Sequence, residues 1–255
     1  MKTIVKHMIL DLVRNKTILV YTIILAVLST SILAFDSNAS KGLLSLMNIT
    51  LLFVPIVTIL FATIYYFNSI EFTELLLAQP VKRPAVLLAE YIGLSVSLLF
   101  AYFIGIGLPI LFIVPSYAGF TLIITGILLT LIFSAFALLI FVMFKDKTKG
   151  IGMAIITALF FTILFDGLLM AFIYSFSDYP IEETVVGILS FNPVDLARVL
   201  MLLKLDVAVL MGYSGAVFKK FLGSSAGTIY SLSLLMFWMI LPLLLSVRIF
   251  NKKDL

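Results

Sequence analysis

Six long apolar runs constrain the fold of this chain more than any other feature. Each is close to the roughly 20 residues that an α-helix needs to cross a bilayer. The predicted spans are 17–35, 49–67, 92–114, 120–144, 151–176 and 229–247. Only 12% of the 255 residues are charged, about half the usual share in a soluble domain, so the lipid bilayer must be the main solvent. The sequence predicts one all-α integral membrane domain, 1–255, with six transmembrane helices.

The residue types that most catalytic and metal sites need are missing from the predicted spans. The chain has no cysteine and one histidine, His7, which lies in the charged N-terminal segment. Neither a GxxxxGK nor a GxGxxG phosphate-binding motif occurs. We therefore expect no catalytic residues, no metal site, no cofactor bound by this chain and no nucleic-acid partner. Any active transport must draw its energy from another protein.

Ten methionines allow a copper hypothesis, because thioether sulfur is a soft ligand for Cu(I). Met47, Met170, Met201 and Met211 would all lie toward the outer side, but no M-x-x-M pair occurs among them. Methionine is also a routine filler of apolar cores. We favour packing as the role of these residues.

The distribution of cations predicts the orientation of the chain. Six spans place both termini on one side, together with the 68–91 segment and the 145–150 loop. That side carries twelve lysines and arginines, and the other side carries five. Because loops rich in Lys and Arg stay in the cytoplasm, we predict cytoplasmic termini.

The N-terminal residues 1–16 are too charged to form a span. Ile4, Val5, Met8, Ile9 and Leu12 nevertheless recur at helical spacing and give one apolar face. This pattern predicts an amphipathic helix at the headgroups, with a frayed basic tail as the alternative. The following run is longer than a typical signal-peptide core, and we expect an uncleaved span.

The loop 177–228 on the predicted outer side contains a further helical segment. Asn192 and Pro193 break the chain, and Val194–Leu210 then reads as a helix that carries Asp195 and Arg198. It is too apolar for free solution and too charged for a span. We expect it to lie at the outer interface or to cap the bundle.

Asp166 is the one ionisable residue deep in a predicted span. A charged Asp near the bilayer centre costs roughly 2.5–3.5 kcal/mol, so such residues usually face a cavity or a partner. Two interpretations stay open. Asp166 is either a carboxylate of a substrate pathway or helix contact, or a protonated group hydrogen-bonded to nearby backbone.

The 68–91 segment is the longest connection between spans on the predicted cytoplasmic side. It places Glu71 and Glu74 before a leucine run, and Gln79-Pro80 ends that helix because the residue before proline avoids the α region. Such a charged amphipathic segment could receive force from a soluble motor. An ordinary connector held by lipid is the alternative.

The sequence T-E-L-L-L-A-Q-P-V-K-R, at residues 73–83, resembles the coupling segment of permease subunits in the type-two ABC exporter family. The N-terminal helix ending in R-N-K resembles the elbow helix of that family, and the order of spans fits across essentially the whole chain. The resemblance implies that Glu71, Thr73, Glu74, Pro80 and Arg83 dock an ATPase subunit.

Two further motifs resemble one branch of that family, the permeases of nitrous oxide reductase maturation transporters. These are F-D-G-L-L around Asp166 and N-P-V-D-L-A-R, which contains Asn192, Pro193, Asp195 and Arg198. Two departures lie in the coupling region. The family glycine before Thr73 is replaced by Phe72, and Glu90 stands where a basic residue is common.

The resemblance implies several partners. It implies a homodimer of twelve spans, two cytoplasmic ABC ATPase subunits that bind ATP and Mg²⁺, and a periplasmic β-helix partner. It also implies a cargo related to copper–sulfur cluster assembly. An exporter of lipid, polysaccharide or small drugs is the alternative within the class. A non-ABC scaffold and a stand-alone secondary transporter are the alternatives outside it.

Overall fold

The computed structural model describes residues 8, 9, 12, 15–35, 38–176, 179, 182–204 and 225–252. Every regular element in these ranges is helical. The α-helices are α1 Lys16–Phe35, α2 Ala39–Asn68, α3 Ile70–Leu77, α4 Arg83–Tyr102, α5 Leu108–Ile113, α6 Tyr117–Met143, α7 Lys147–Leu159, α8 Phe165–Ser175, α9 Glu182–Leu189, α10 Pro193–Lys204 and α11 Ser225–Lys252. Two π-helical turns, Phe103–Gly107 and Phe160–Leu164, join α4 to α5 and α7 to α8.

Six of these helical stretches are long and apolar enough to cross a membrane, which confirms the predicted all-α membrane fold. They are Lys16–Phe35, Ala39–Asn68, Arg83–Ile113, Tyr117–Met143, Lys147–Ser175 and Gly227–Lys252. A helix satisfies its own backbone hydrogen bonds, which is why apolar length alone predicts such spans well. The chain is a multi-pass membrane protein.

Two spans begin earlier than the apolar runs indicate. Helix α2 begins at Ala39, not at residue 49, because the Asn38 side chain caps it by accepting a hydrogen bond from Ser40 N at 3.0 Å. Helix α4 begins at Arg83, not at residue 92, with Pro84 in its first turn, a position that suits proline. The connection between α2 and α4 is therefore short, and Glu90 lies on the long helix of the third candidate span.

The fourth span, α6, is the most buried of the six and packs against α2, α4, α10 and α11. At Gly126 this span lies directly against Tyr102 of the third span. A Cβ atom there would overlap Tyr102 Oη, which donates a hydrogen bond to Leu122 O at 3.0 Å. Only glycine leaves room for this buried tyrosine.

The π-helical turn in the third span lies just before Pro109. Proline has no N–H and cannot bond the carbonyl four residues earlier, which here belongs to Gly105. Ser29 on the first span donates a hydrogen bond to Gly105 O at 2.6 Å. A neighbouring helix thus satisfies the carbonyl group that proline leaves free, as is common in membrane helices.

Part of the predicted amphipathic N-terminal helix packs against protein. Met8 and Leu12 are buried, and a Cβ atom at Gly93 on the third span would lie 3.0 Å from Met8 Cβ. The described part of this apolar face therefore packs against the third span. Most of residues 1–16 lie outside the described part of the chain.

Helices α9 and α10 pack against the spans. Helix α10 contributes Val194, Leu196, Ala197, Met201 and Leu202 to the main core. A small second cluster joins α8, α9 and α10 through Leu169, Val185, Leu189 and Val199. Asn192, just before α10, bonds Phe161 O at the middle of the fifth span, and Lys204 at the end of α10 lies over the Tyr117 ring at the start of the fourth span. The described part of α10 is therefore packed among the spans, and its predicted location at the outer interface or as a cap stays a prediction. The helix ends at Lys204, and residues 205–224 of the predicted outer loop lie outside the described part.

Candidate functional site

The structure brings together two motifs that are far apart in the sequence. Asp166 lies in the first turn of α8, and Arg198 lies on α10. Arg198 Nη1 is 2.7 Å from Asp166 Oδ2 and 3.1 Å from Asp195 Oδ1. One guanidinium group therefore bridges a carboxylate of the fifth span and a carboxylate of its own helix.

Asn192 completes this group, which we call the polar cluster (Asp166, Asn192, Asp195 and Arg198). Its Nδ2 donates to Asp195 Oδ2 at 2.8 Å and to Phe161 O at 2.9 Å. Its Oδ1 accepts from Val194 N at 2.9 Å, so the same side chain caps the start of α10. The Phe161 carbonyl belongs to the π-helical turn of the fifth span, and such turns are frequent at functional sites.

Burial sets the protonation behaviour of the polar cluster. The Asp195 side chain is 2% exposed, whereas Asp166 and Arg198 are 34% and 26% exposed. Burial and, to a lesser extent, the nearby Asp166 charge raise the pKa of Asp195, while the Arg198 charge and the Asn192 hydrogen bond lower it. The net result is a pKa of about 6. Burial prevails because it disfavours the charged carboxylate most strongly.

The sequence identified all four members of the polar cluster but did not predict their pairing. Asp166 was expected either in a pathway or helix contact or as a protonated group on backbone. In the structure its carboxylate faces the Arg198 guanidinium. Pro193 is buried as the first residue of α10, where its fixed φ suits a helix start. The opposite charges of Asp166 and Arg198 were the one signal for this contact in the sequence.

A second group of predicted site residues lies on α3, a short helix between the second and third spans. Its exposed face carries Glu71, Phe72, Glu74 and Leu75. The opposite face buries Thr73 and Leu76 against the bundle. The helix thus presents two carboxylates and two large apolar side chains away from the spans.

A cleft of about 410 Å³ lies beside this face. Glu74 and Arg83 line it with Leu77 and Ala78. Pro80 is exposed in the turn between α3 and α4, and Arg83 is the first residue of α4. The structure therefore places Glu71, Glu74, Pro80 and Arg83 on the surface and gathers Glu74 and Arg83 at one cleft.

Thr73 differs from the other predicted coupling residues because it is buried. Its Oγ1 is hydrogen-bonded to Glu90 Oε1 on α4 and lies 3.0 Å from Ser69 O. Glu90 is itself fully buried. The sequence placed Glu90 among the departures in the motor-facing region but gave no signal that its partner is Thr73, seventeen residues earlier.

The structure describes no cluster that could hold a metal ion by side chains. Among the described residues, no three His, Cys, Asp or Glu side chains lie together. Binding of ATP and Mg²⁺ by a cytoplasmic partner subunit stays a prediction.

These features define a class: a multi-pass membrane protein with six spans, an exposed helix between spans two and three, and two shorter helices after span five that pack against the spans. The chain is similar to a probable ABC transporter permease protein NosY of Pseudomonas aeruginosa PAO1, at 27% identity over 235 residues, with 82% of this chain and 84% of the relative covered. It is also similar to a probable NosY permease of Stutzerimonas stutzeri, at 26% identity over 213 residues, with 75% and 77% covered. No protein-family model matches the chain. The resemblance to ABC permeases of the NosY type is confirmed.

Proposed function

We propose that this chain is the membrane-spanning permease subunit of an ABC transporter in the bacterial inner membrane. The exposed face of α3 is the single structural observation that best supports this role, because it offers acidic and apolar side chains to a soluble partner. Two relatives named as ABC transporter permeases support the same class. ATP hydrolysis would then take place in a separate subunit, and this chain would not be an enzyme.

In this proposal the termini and α3 lie in the cytoplasm, as the distribution of cations predicts. Two copies of the chain form a homodimer with two ATPase subunits beneath it. ATP binding closes the ATPase pair, and α3 with the N-terminal helix passes the movement to the spans. The docking surface consists of Glu71, Glu74, Pro80 and Arg83. The buried Thr73 holds α3 against the bundle.

The polar cluster has a different role in this proposal. It joins the fifth span to α10, so a tilt of that span moves α10 with it. The loop that contains α9 and α10 would carry the contact with a periplasmic β-helix partner. Asp166 then acts as a contact between the fifth span and α10.

The experiment that tests the permease role is affinity purification of the tagged chain from its native membranes. We expect an ATPase to co-purify, and its ATP hydrolysis to rise when this chain is present. A chain that purifies alone and moves substrate down an ion gradient would instead be a secondary transporter. A chain that purifies with neither an ATPase nor transport activity would be a scaffold. Either result would refute the proposal.

The cargo is a finer proposal that the names of the relatives motivate. We propose a sulfur- or copper-related species that serves maturation of nitrous oxide reductase. Deletion of the chain should yield reductase that lacks its copper–sulfur centre, measured by copper content and absorbance, and a plasmid copy should restore it. Fully loaded reductase in the deletion strain would favour export of lipid, polysaccharide or small drugs.

A further inference from the structure

The start of the fifth span packs closely against the end of the second span. A Cβ atom added at Gly150 on α7 would overlap the far edge of the Phe67 ring on α2. Phe67 is buried, and its ring lies edge-on to Phe141 of the fourth span, with the ring centroids 5.3 Å apart. Since close-packed interiors leave little free space for a ring to move, glycine at position 150 is what allows this approach.

A hydrogen bond lies beside this close packing. Lys147, the first residue of α7, donates from Nζ to Oδ1 of Asn68, the last residue of α2, at 2.7 Å. Helix α2 packs against α7 and against the π-helical turn that follows it. We call Phe67, Asn68, Lys147 and Gly150 the α2–α7 contact.

Helix α3 begins directly after the α2–α7 contact. Only Ser69 separates α2 from α3. Ser69 N donates to Tyr65 O at 3.0 Å, and Ser69 O accepts from Thr73 N at 2.9 Å, so backbone hydrogen bonding continues from one helix into the other. The hydrogen bond from Thr73 to Glu90, which joins α3 to the third span, can by contrast break at modest net cost.

We propose that Gly150 is a positioning residue that holds the start of the fifth span against the end of the second span, so that α3 and the fifth span move together. A movement of α3 reaches Phe67 and Asn68 through the continuous backbone, and the α2–α7 contact passes it to α7. The third span can stay behind, because the Thr73–Glu90 hydrogen bond can break.

This inference rests on the proposed function for its purpose, since the movement of α3 would come from an ATPase. It adds the route by which that movement reaches the polar cluster, which joins the fifth span to α10. The packing itself concerns only this chain and can be tested without a partner.

Amide hydrogen exchange of the full chain in lipid nanodiscs tests the packing. Gly150→Ala should speed exchange roughly tenfold in residues 64–69 and 147–152 together, because overpacking a close contact destabilises both of its sides. Gly152→Ala is the matched control and should keep the wild-type rate. It adds the same methyl group two residues later on α7, where the described residues leave nothing within 4 Å of the new Cβ atom.

A second variant separates the packing from a general effect of alanine. Phe67→Leu deletes the ring atoms that the new Cβ atom would overlap. Phe67→Leu combined with Gly150→Ala should therefore recover most of the wild-type protection. Unchanged exchange in Gly150→Ala, or a double variant no better protected than Gly150→Ala alone, would overturn the proposal.

Lys147→Met decides the matter if Gly150→Ala fails to fold. This exposed substitution removes the donor to Asn68 and should speed exchange in the same two segments at least about twofold, the low end for one hydrogen bond. Lys149→Met, at a neighbouring exposed lysine, is its control. Equal exchange in these two lysine variants would contradict the proposal.

ATP hydrolysis tests the transmission of movement. The ATPase should co-purify with Gly150→Ala as with the wild type, because the docking surface on α3 is unchanged. Stimulation of its hydrolysis by the chain should nevertheless fall roughly two- to thirtyfold, the range for residues that lie between two coupled sites. Unchanged stimulation would refute the transmission and leave the permease role standing. If no ATPase binds but exchange responds as described, the permease role fails and the positioning role of Gly150 stands.

Discussion

Helix α10 is buried along most of its length, whereas α3 buries only Thr73 and Leu76. Helix α10 is held to the fifth span by the Asn192 hydrogen bond to Phe161 O and by the Arg198–Asp166 ion pair, and the buried Asp195 contacts both Asn192 and Arg198. Helix α3 is hydrogen-bonded to the third span through the buried Glu90. Glu90 has Thr73 on one oxygen and, among the described residues, no hydrogen-bond partner on the other. The comparison teaches that a buried carboxyl group with several partners holds a helix more firmly than a buried carboxyl group with one.

The largest expected effect tests whether the polar cluster holds α10 firmly against the fifth span. Arg198→Ala removes the cation shared by Asp166 and Asp195 and leaves a buried carboxylate unpaired. We expect a loss of about 3 kcal/mol in the free energy of unfolding, the low end for a broken buried pair because Arg198 is partly exposed. Denaturant titration in mixed micelles measures it. Adding Asp195→Asn should recover part of the loss, and an undiminished loss in the double variant would contradict this cause.

Asn192→Ala is the next largest change. It removes the cap of α10 together with the hydrogen bonds to Phe161 O and Asp195. We expect a loss of about 2 kcal/mol in the same unfolding measurement. Amides of α10 and of the 160–164 turn should lose protection together. Loss of protection in α10 alone would show that Asn192 does not join the two helices.

The pH dependence of the free energy of unfolding should reflect the protonation of Asp195. Its pKa is raised from 3.8 to about 6 in the folded chain, so folding favours the protonated form. Stability should therefore fall as pH rises from about 4 through about 6, by an amount of the order of 1–2 kcal/mol. Asp195→Asn should flatten this part of the unfolding profile. A fall of equal size in Asp195→Asn would assign it to another group.

Thr73→Val is expected to have the smallest effect on global stability, because α3 can open without the bundle unfolding. We expect less than about 0.5 kcal/mol in the global free energy of unfolding, although hydrogen exchange within α3 accelerates. If Thr73→Val lowered the global free energy of unfolding as much as Asn192→Ala does, α3 would be held as firmly as α10, and the contrast between these two helices would be wrong.

The sequence predicted the spans well because apolar length is a local property. It predicted the helix starts at Ala39 and Arg83 less well, since polar residues extend both helices beyond the apolar runs. The π-helical turns were not predicted. The Ser29–Gly105 contact at one of them joins residues 76 positions apart, which no local pattern reveals.

The candidate site was predicted residue by residue but not as an arrangement. The motifs supplied Asp166 and Arg198 separately, and only tertiary packing brings α8 against α10. Glu90 was predicted to belong to the coupling region, where a basic residue is common. It is instead buried, since α4 begins at Arg83 and carries it into the bundle.

The most direct test of the central claim is whether the exposed face of α3 binds an ATPase. The double substitution Glu71→Lys and Glu74→Lys reverses the charge at both positions of that face and leaves the buried Thr73 unchanged. We expect co-purification of the ATPase to fall at least about tenfold, which corresponds to about 1.4 kcal/mol of binding free energy. Lys145→Glu with Lys149→Glu, at exposed positions just before α7 and in its first turn, on the same side of the bundle, is the control and should retain the ATPase. Undiminished co-purification with the Glu71 and Glu74 variant would contradict the account.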